Sequence, residues 1–365
     1  MSKKIIVILL IGMVFLTGCN LNEKKVPIEG IDMVGILGFD YEGEGTYKLT
    51  AAIPQKSKYA NERTQIYTTT TELVTTGMVD IEKKTEKKVV LNQLRVILFS
   101  EEFATSGKVE EVIKHLYGNT QVGNEVLLAI VKGSAEELMR QDYTDKASVI
   151  NYVSDLLQPS VNLAFNPNTN IHDLMYTQTN PNIDSIMPVI ELKGKKLELT
   201  GVALFKGDHM ENVLHPDDAL YIQAIQGKKK LSPFTLNVGG GDTLLLDFID
   251  NSVKIISNKS LESPRLKIIL KIEGTMSEYK GKNISFKDPE IMERLEKDAE
   301  KDLKKKINDF LEEMQKLEVD PIGLTENVRR HQRVKWDTEL TRKTISKMKW
   351  DIEVDMSILS TGVLH

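Results

Sequence analysis

Of 365 residues, one is cysteine, two are tryptophan and six are histidine. A lone Cys19 excludes an internal disulfide and leaves stability to packing alone. After Leu16 no apolar run approaches the ~20 residues of a helical membrane span, so nothing downstream is expected to cross a bilayer. The histidines (His115, His172, His209, His215, His331 and His365) form no H-E-x-x-H and no close ligand pair. His209 and His215, with Asp208, Asp217 and Asp218, come nearest. They flank a turn and a helix start, where aspartate ordinarily caps, so no metal is expected. A G-x-S-x-G nucleophile elbow is missing. Gly239-Gly240-Gly241 lacks the Lys-Ser/Thr of a phosphate loop and leads into a strand pattern, which predicts a turn. No carboxylate pair stands in an apolar setting that would fit it for acid–base work. These absences point away from an enzyme. Excess positive charge is lacking too: 48 basic residues face 53 acidic ones, for a net charge of −5, which disfavours nucleic acid.

What is present begins at the N-terminus. Lys3 and Lys4 precede a twelve-residue apolar run, Ile5 to Leu16, too short to span but suited to a signal-peptide core. Leu16-Thr17-Gly18-Cys19 follows and resembles a bacterial lipobox. That resemblance implies residues 1–18 as a signal peptide, a diacylglycerol thioether on Cys19, cleavage before it, and N-acylation of the new terminus. No other cofactor is expected. Two fatty chains, at about 0.8 kcal/mol per buried methylene, make a stable anchor. Cleavage would remove two lysines, leaving 347 residues with 46 basic against 53 acidic side chains, net −7. The mature chain is expected on the outer face of a cytoplasmic membrane, with the polar residues 20–29 as a tether. The remainder, in a chain 41% apolar and 28% charged, reads as folded and globular.

Along the chain, apolar alternation predicts strands over Ile31–Phe39, Tyr47–Ile53, Val89–Phe99 and Glu125–Val131. Helical spacing predicts helices over Thr68–Ile81, Lys108–Tyr117, Ser134–Arg140 behind a capping box, Val149–Gln158 and Ile171–Gln178. A hairpin is expected from Ile183–Leu192 and Lys196–Phe205, then a helix over Pro216–Ile225. The glycine run 239–241 marks a boundary. Beyond it lie strands Leu244–Ile256, Arg265–Ile272 and Asn283–Phe286, and a helix of about 40 Å from Pro289 to Leu317. A helical stretch Thr325–Met348, interrupted near Trp336, precedes a period-two strand, Trp350–Ile358. The expected fold class is α+β: three mixed α/β domains in series, at 19–190, 191–238 and 239–365, after the signal peptide. Eight cations between Arg329 and Lys349, with Arg329, Arg330, Arg333 and Lys335 in front, make a local positive surface for headgroups or an acidic partner, or simply a solvated helical face.

In order along the chain, several segments resemble one family. They are Gly18-Cys19; the first strand ending at Asp40; Leu199-Thr-Gly201-Val-Ala-Leu-Phe205-Lys-Gly-Asp208; Asp320-Pro-Ile-Gly323-Leu324; Trp336; and Trp350–Ile358 with Gly362. Together they are similar to the Ger(x)C family, lipoprotein C subunits of spore germinant receptors. Thr325 stands where a second glycine is common, and Asn20-Leu-Asn departs from the family's start. The resemblance implies a three-domain lipoprotein on the outer face of the spore inner membrane. It implies assembly with membrane A and B subunits and no catalysis, and it does not by itself imply a ligand site in this chain. Asp320, Gly323, Leu324 and Trp336 are candidates for a docking feature, or for a helix end and a packed side chain. The rival reading is a solute-binding lipoprotein feeding a transporter, whose two similar lobes would close on a ligand.

Overall fold

The computed structural model describes residues 27–361 apart from 44, 56–62, 144, 145, 147, 159–166, 168 and 283. The signal peptide, the lipobox with Cys19, the tether to residue 26, Glu44, Pro159, Asn283, Gly362 and His365 lie outside the described residues.

The first part of the chain runs β1 (Ile31–Met33), β2 (Ile36–Gly43), β3 (Thr46–Gln55), β4 (Arg63–Thr71), α1 (Val74–Glu82), β5 (Lys88–Val90) and β6 (Val96–Ser100). It continues α2 (Glu101–Thr105), α3 (Val109–Tyr117), β7 (Leu127–Lys132), α4 (Ala135–Arg140), α5 (Val149–Leu157) and α6 (Ile171–Thr179). It ends with β8 (Ile186–Lys193), β9 (Lys196–Lys206) and β10 (His209–Leu214). Eight strands form one sheet in the order β10-β9-β8-β7-β6-β2-β3-β4. The four central strands are parallel and the outer ones antiparallel.

The unbroken apolar runs of β6 and β7 require cover on both faces, as parallel strands do. Successive side chains supply two cores. Leu37, Phe39, Ile97, Phe99 and Ile130 face α1, α2, α3 and α6. Ile36, Val96, Leu98, Ala129 and Val131 face α4 and α5. Phe39, Phe99, Phe103 and Tyr47 pack with ring centroids 5.4–5.7 Å apart, and burial of each phenylalanine contributes about 2–3 kcal/mol.

Several details depart from expectation. Thr68 to Thr71 belong to β4, opposite Thr50 to Tyr47; β-branched side chains favour the strand, and the helix starts only at Val74. The strand expected over Val89–Phe99 is two, and β5 pairs with β1 outside the main sheet. β10 is an additional strand. Ile284 to Phe286 form none.

The last part comprises α7 (Asp218–Ile225), β11 (Lys230–Leu231), β12 (Phe234–Asn237), β13 (Thr243–Ser257), β14 (Arg265–Lys280), α8 (Pro289–Leu317), α9 (Glu326–Arg329), α10 (Thr338–Lys347) and β15 (Lys349–Ser360). The sheet order is β11-β13-β14-β15, with β12 also on β13. Pro289 at the first turn and the Asp288 cap start α8. Leu295, Ala299, Leu303, Ile307, Phe310, Leu311 and Met314 form its buried stripe.

Both flanks of α8 serve sheet edges. Asp302 accepts from Asn237 N at 2.9 Å and Asn237 Nδ2 at 3.1 Å, and Lys306 Nζ donates to the Thr235 carbonyl at 3.2 Å. On the other side Met356 N and Ile358 N donate to Glu300 at 3.0 Å and Glu296 at 2.8 Å. The helix thus satisfies backbone groups where a further strand would lie. Segment 191–238 is shared between the two parts: β9 and β10 extend the large sheet, while α7, β11 and β12 pack into the core around α8.

Candidate functional site

A long helix that ends inside a protein must satisfy its last carbonyls. Glu318 takes the left-handed conformation, φ 57°, and Val319 N returns to the Met314 carbonyl. Two residues later stands Asp320, 1% exposed. Its Oδ1 accepts from Gly323 N and Leu324 N, both at 2.8 Å. Its Oδ2 accepts from Thr325 N and the Thr325 hydroxyl, also at 2.8 Å. Gly323 has φ +82°, a conformation that strains any other residue. The motif Asp320-Pro-Ile-Gly323-Leu324 is therefore a carboxylate-centred turn, with Leu324 buried beneath it.

The turn faces the segment before β8. Asp320 N donates to Asp184 Oδ2 at 2.6 Å, and Asp184 N donates to the Asp320 carbonyl at 3.0 Å. Arg342 of α10 grips the Asp184 carboxylate with both Nη atoms, Nη2 at 2.5 Å from Oδ1, and donates to the Glu318 carbonyl at 2.8 Å. Asn182 Nδ2 donates to Glu326 at 2.8 Å, and Thr341 Oγ1 to the Pro181 carbonyl at 2.6 Å. Trp336 Nε1 donates to that same Thr341 hydroxyl at 2.8 Å.

Asp320 and Trp336, sixteen positions apart, thus serve one joint. Burial pushes the Asp320 carboxyl above its ordinary value; Thr325 and Leu324 pull it back in part, and Asp184 adds to the rise. The joint leaves a cavity of only about 50 Å³, lined among others by Asp184, Ser185, Thr338 and Arg342. That is space for water, not for a metabolite. Its chemistry is to hold two parts of the fold together.

The sequence pattern missed Asn182, Asp184, Arg342 and Thr341. Asn180-Pro-Asn reads as a break, but nothing local says what lies across from it. The basic run divides. Arg329 closes on Glu326 at 2.6 and 2.8 Å, Arg330 bonds Asn327 at 3.0 Å, Lys343 pairs with Glu339, and Arg342 turns inward. Arg333 and Lys335 are exposed on the irregular stretch between α9 and α10, where the helical stretch Thr325–Met348 breaks near Trp336 as expected, leaving two short helices. His209 Nδ1 meets the Thr105 carbonyl at 3.2 Å and His215 Nδ1 lies 3.5 Å from Asp217. The described residues hold no group of three His, Cys, Asp or Glu placed to share an ion. Gly239 to Gly241 all have positive φ and turn the chain into β13.

Two family models divide the chain between them. The spore germination protein N-terminal domain matches residues 24–192, and the spore germination B3/GerAC-like C-terminal domain matches residues 200–362. The spore germination protein GerQC of Bacillus cereus is 28% identical over 360 residues, 98% of each chain. The chain belongs to the Ger(x)C family. The crystal structure of the GerBC protein shares the Ger(x)C fold with it, at a TM-score of 0.56 and 17% identity over 88% of this chain and 96% of that one. In this Ger(x)C chain the Asp184–Asp320–Arg342 joint ties the two matched regions together: Asp184 stands in the first and Asp320 and Arg342 in the second.

Proposed function

We propose that this chain is the lipid-anchored, non-catalytic C subunit of a spore nutrient germinant receptor. Cys19 holds it to the outer face of the spore inner membrane, and it assembles with the membrane A and B subunits. The observation that carries this reading is the end-to-end match: both Ger(x)C domains occur once, in order, and the alignment to GerQC spans 98% of each chain. The site geometry supports the scaffold role. Asp320, Gly323, Leu324 and Trp336 are spent on an internal joint, and the cations Arg330, Arg333 and Lys335 are left for contacts outside.

Affinity purification of the tagged chain from spore membranes tests the assembly. Recovery of a many-span and a few-span membrane subunit is the expected outcome. Acyl-chain labelling at Cys19, lost in Cys19→Ala, is expected alongside. A chain that purifies alone, unlabelled, would defeat the reading.

A further inference from the structure

The positive run of residues 329–349 is part of a larger surface. Gln332 Nε2 donates to the Lys259 carbonyl at 2.8 Å, which fastens the loop between α9 and α10 to the tip of the β13–β14 hairpin. Asn258 N donates to the Arg265 carbonyl at 3.0 Å, and Arg265 stands directly opposite Lys349 in the β14–β15 register. Three separate stretches thus bring Lys259, Arg265, Arg330, Arg333, Lys335 and Lys349 to one end of the C-terminal sheet, all exposed. Glu262 on the same hairpin and Asp351, two residues along β15 from Lys349, are exposed acidic neighbours at the margin of the patch, and Asp337 behind the loop caps α10. Like charges facing each other on adjacent strands repel, so the Arg265–Lys349 pairing is a cost to the sheet rather than a support of it. Two apolar side chains accompany the cations: Val334, 52% exposed between Arg333 and Lys335, and Ile256, 44% exposed.

We infer that this surface rests on an anionic lipid bilayer, with Val334 entering the interfacial layer and the cations meeting phosphate headgroups. Charge complementarity selects an anionic partner. Shape selects a lipid surface over an acidic peptide. The cations stand on loop tips and strand ends, while the main cavities of the described residues are lined by other side chains. A peptide needs a groove; a fluid layer of mobile headgroups does not. Each cation near such a surface strengthens attraction about fivefold, and the effect fades with salt. The inference goes beyond the receptor reading and does not depend on it, because a bilayer of stated composition is the only partner in its test.

The full chain carrying Val334→Cys, labelled with an environment-sensitive fluorophore, is reconstituted into vesicles; the chain without that substitution reports any label at Cys19. In phosphatidylcholine with ~30% phosphatidylglycerol, emission shifts to the blue and a headgroup-borne quencher reduces it; in phosphatidylcholine alone neither occurs. High salt, or Arg265→Glu with Arg330→Glu, Arg333→Glu and Lys335→Glu, abolishes the shift. Should the fourfold variant lose cooperative unfolding, Arg333→Glu alone decides, with a reduced shift expected. Equal emission in both lipids, or an undiminished shift in the charge-reversed chain, overturns the inference. So does an equal shift with soluble poly-glutamate, which would name an acidic protein as the partner. Failure of the receptor reading would appear instead in the purification from spores and leave these vesicle results unchanged.

Discussion

Asp320 accepts four hydrogen bonds inside the protein, three from backbone amides. Asp320→Ala orphans those donors, and a loss of about 3 kcal/mol is expected, read as a fall in Tm of several degrees in calorimetry. Arg342→Ala leaves Asp184 buried without its cation and should cost roughly 3–5 kcal/mol; Arg342→Lys, lacking the planar fork, should restore only part. Asp218 gives a pH signature. Burial first, then Glu313 and Asp217, push its carboxyl up to about 6, against the pull of the His215 amide and charge. A raised carboxyl binds its proton more tightly in the folded state. Its contribution is therefore favourable below the unfolded value near 4 and is lost as pH rises through about 6. Asp218→Asn should flatten the stability profile across that window and add about 1 kcal/mol at neutral pH, after allowance for solvent screening. Urea titrations at pH 4 and pH 7 check it.

The element that most shapes the C-terminal half is α8. Its stripe of Leu295, Ala299, Leu303, Ile307 and Met314 was legible from spacing alone, as were the Pro289 start and the alternation of β15. Its second task was not. Glu296 and Glu300 read as solvated charges, and only the packing of α8 along β15 brings them to the amides of Ile358 and Met356. Glu296→Ala with Glu300→Ala should expose that edge. Faster hydrogen exchange at Met356 and Ile358 is expected, with concentration-dependent self-association by light scattering. Unchanged exchange would mean the carboxylates are incidental. The threonine run shows the opposite failure. Leu73, Gly77 and Ile81 carry a helical period that predicts a helix from Thr68, yet the β-branched side chains of Thr68–Thr71 complete an antiparallel pair with β3.

At the scale of the molecule, the fold class and the family were legible, because buried-strand runs, the long helix and the ordered motifs survive in sequence. The division of 191–238 was not. β9 follows β8 through a tight hairpin and stays in the first sheet, whereas α7 presents six buried residues to the second core. No local signal separates those destinations. The joint is likewise a long-range fact: Asp184 and Arg342 lie 158 positions apart. If it couples the two halves, the intact protein should unfold in one calorimetric transition and Arg342→Ala in two. Above all of this stands the receptor role, and the response of spores tests it most directly. Spores lacking this chain, exposed to a panel of nutrients and followed by loss of optical density, should fail to respond to at least one. The intact chain should restore that response and Cys19→Ala should restore it poorly. Undiminished germination on every nutrient in the panel would contradict the account.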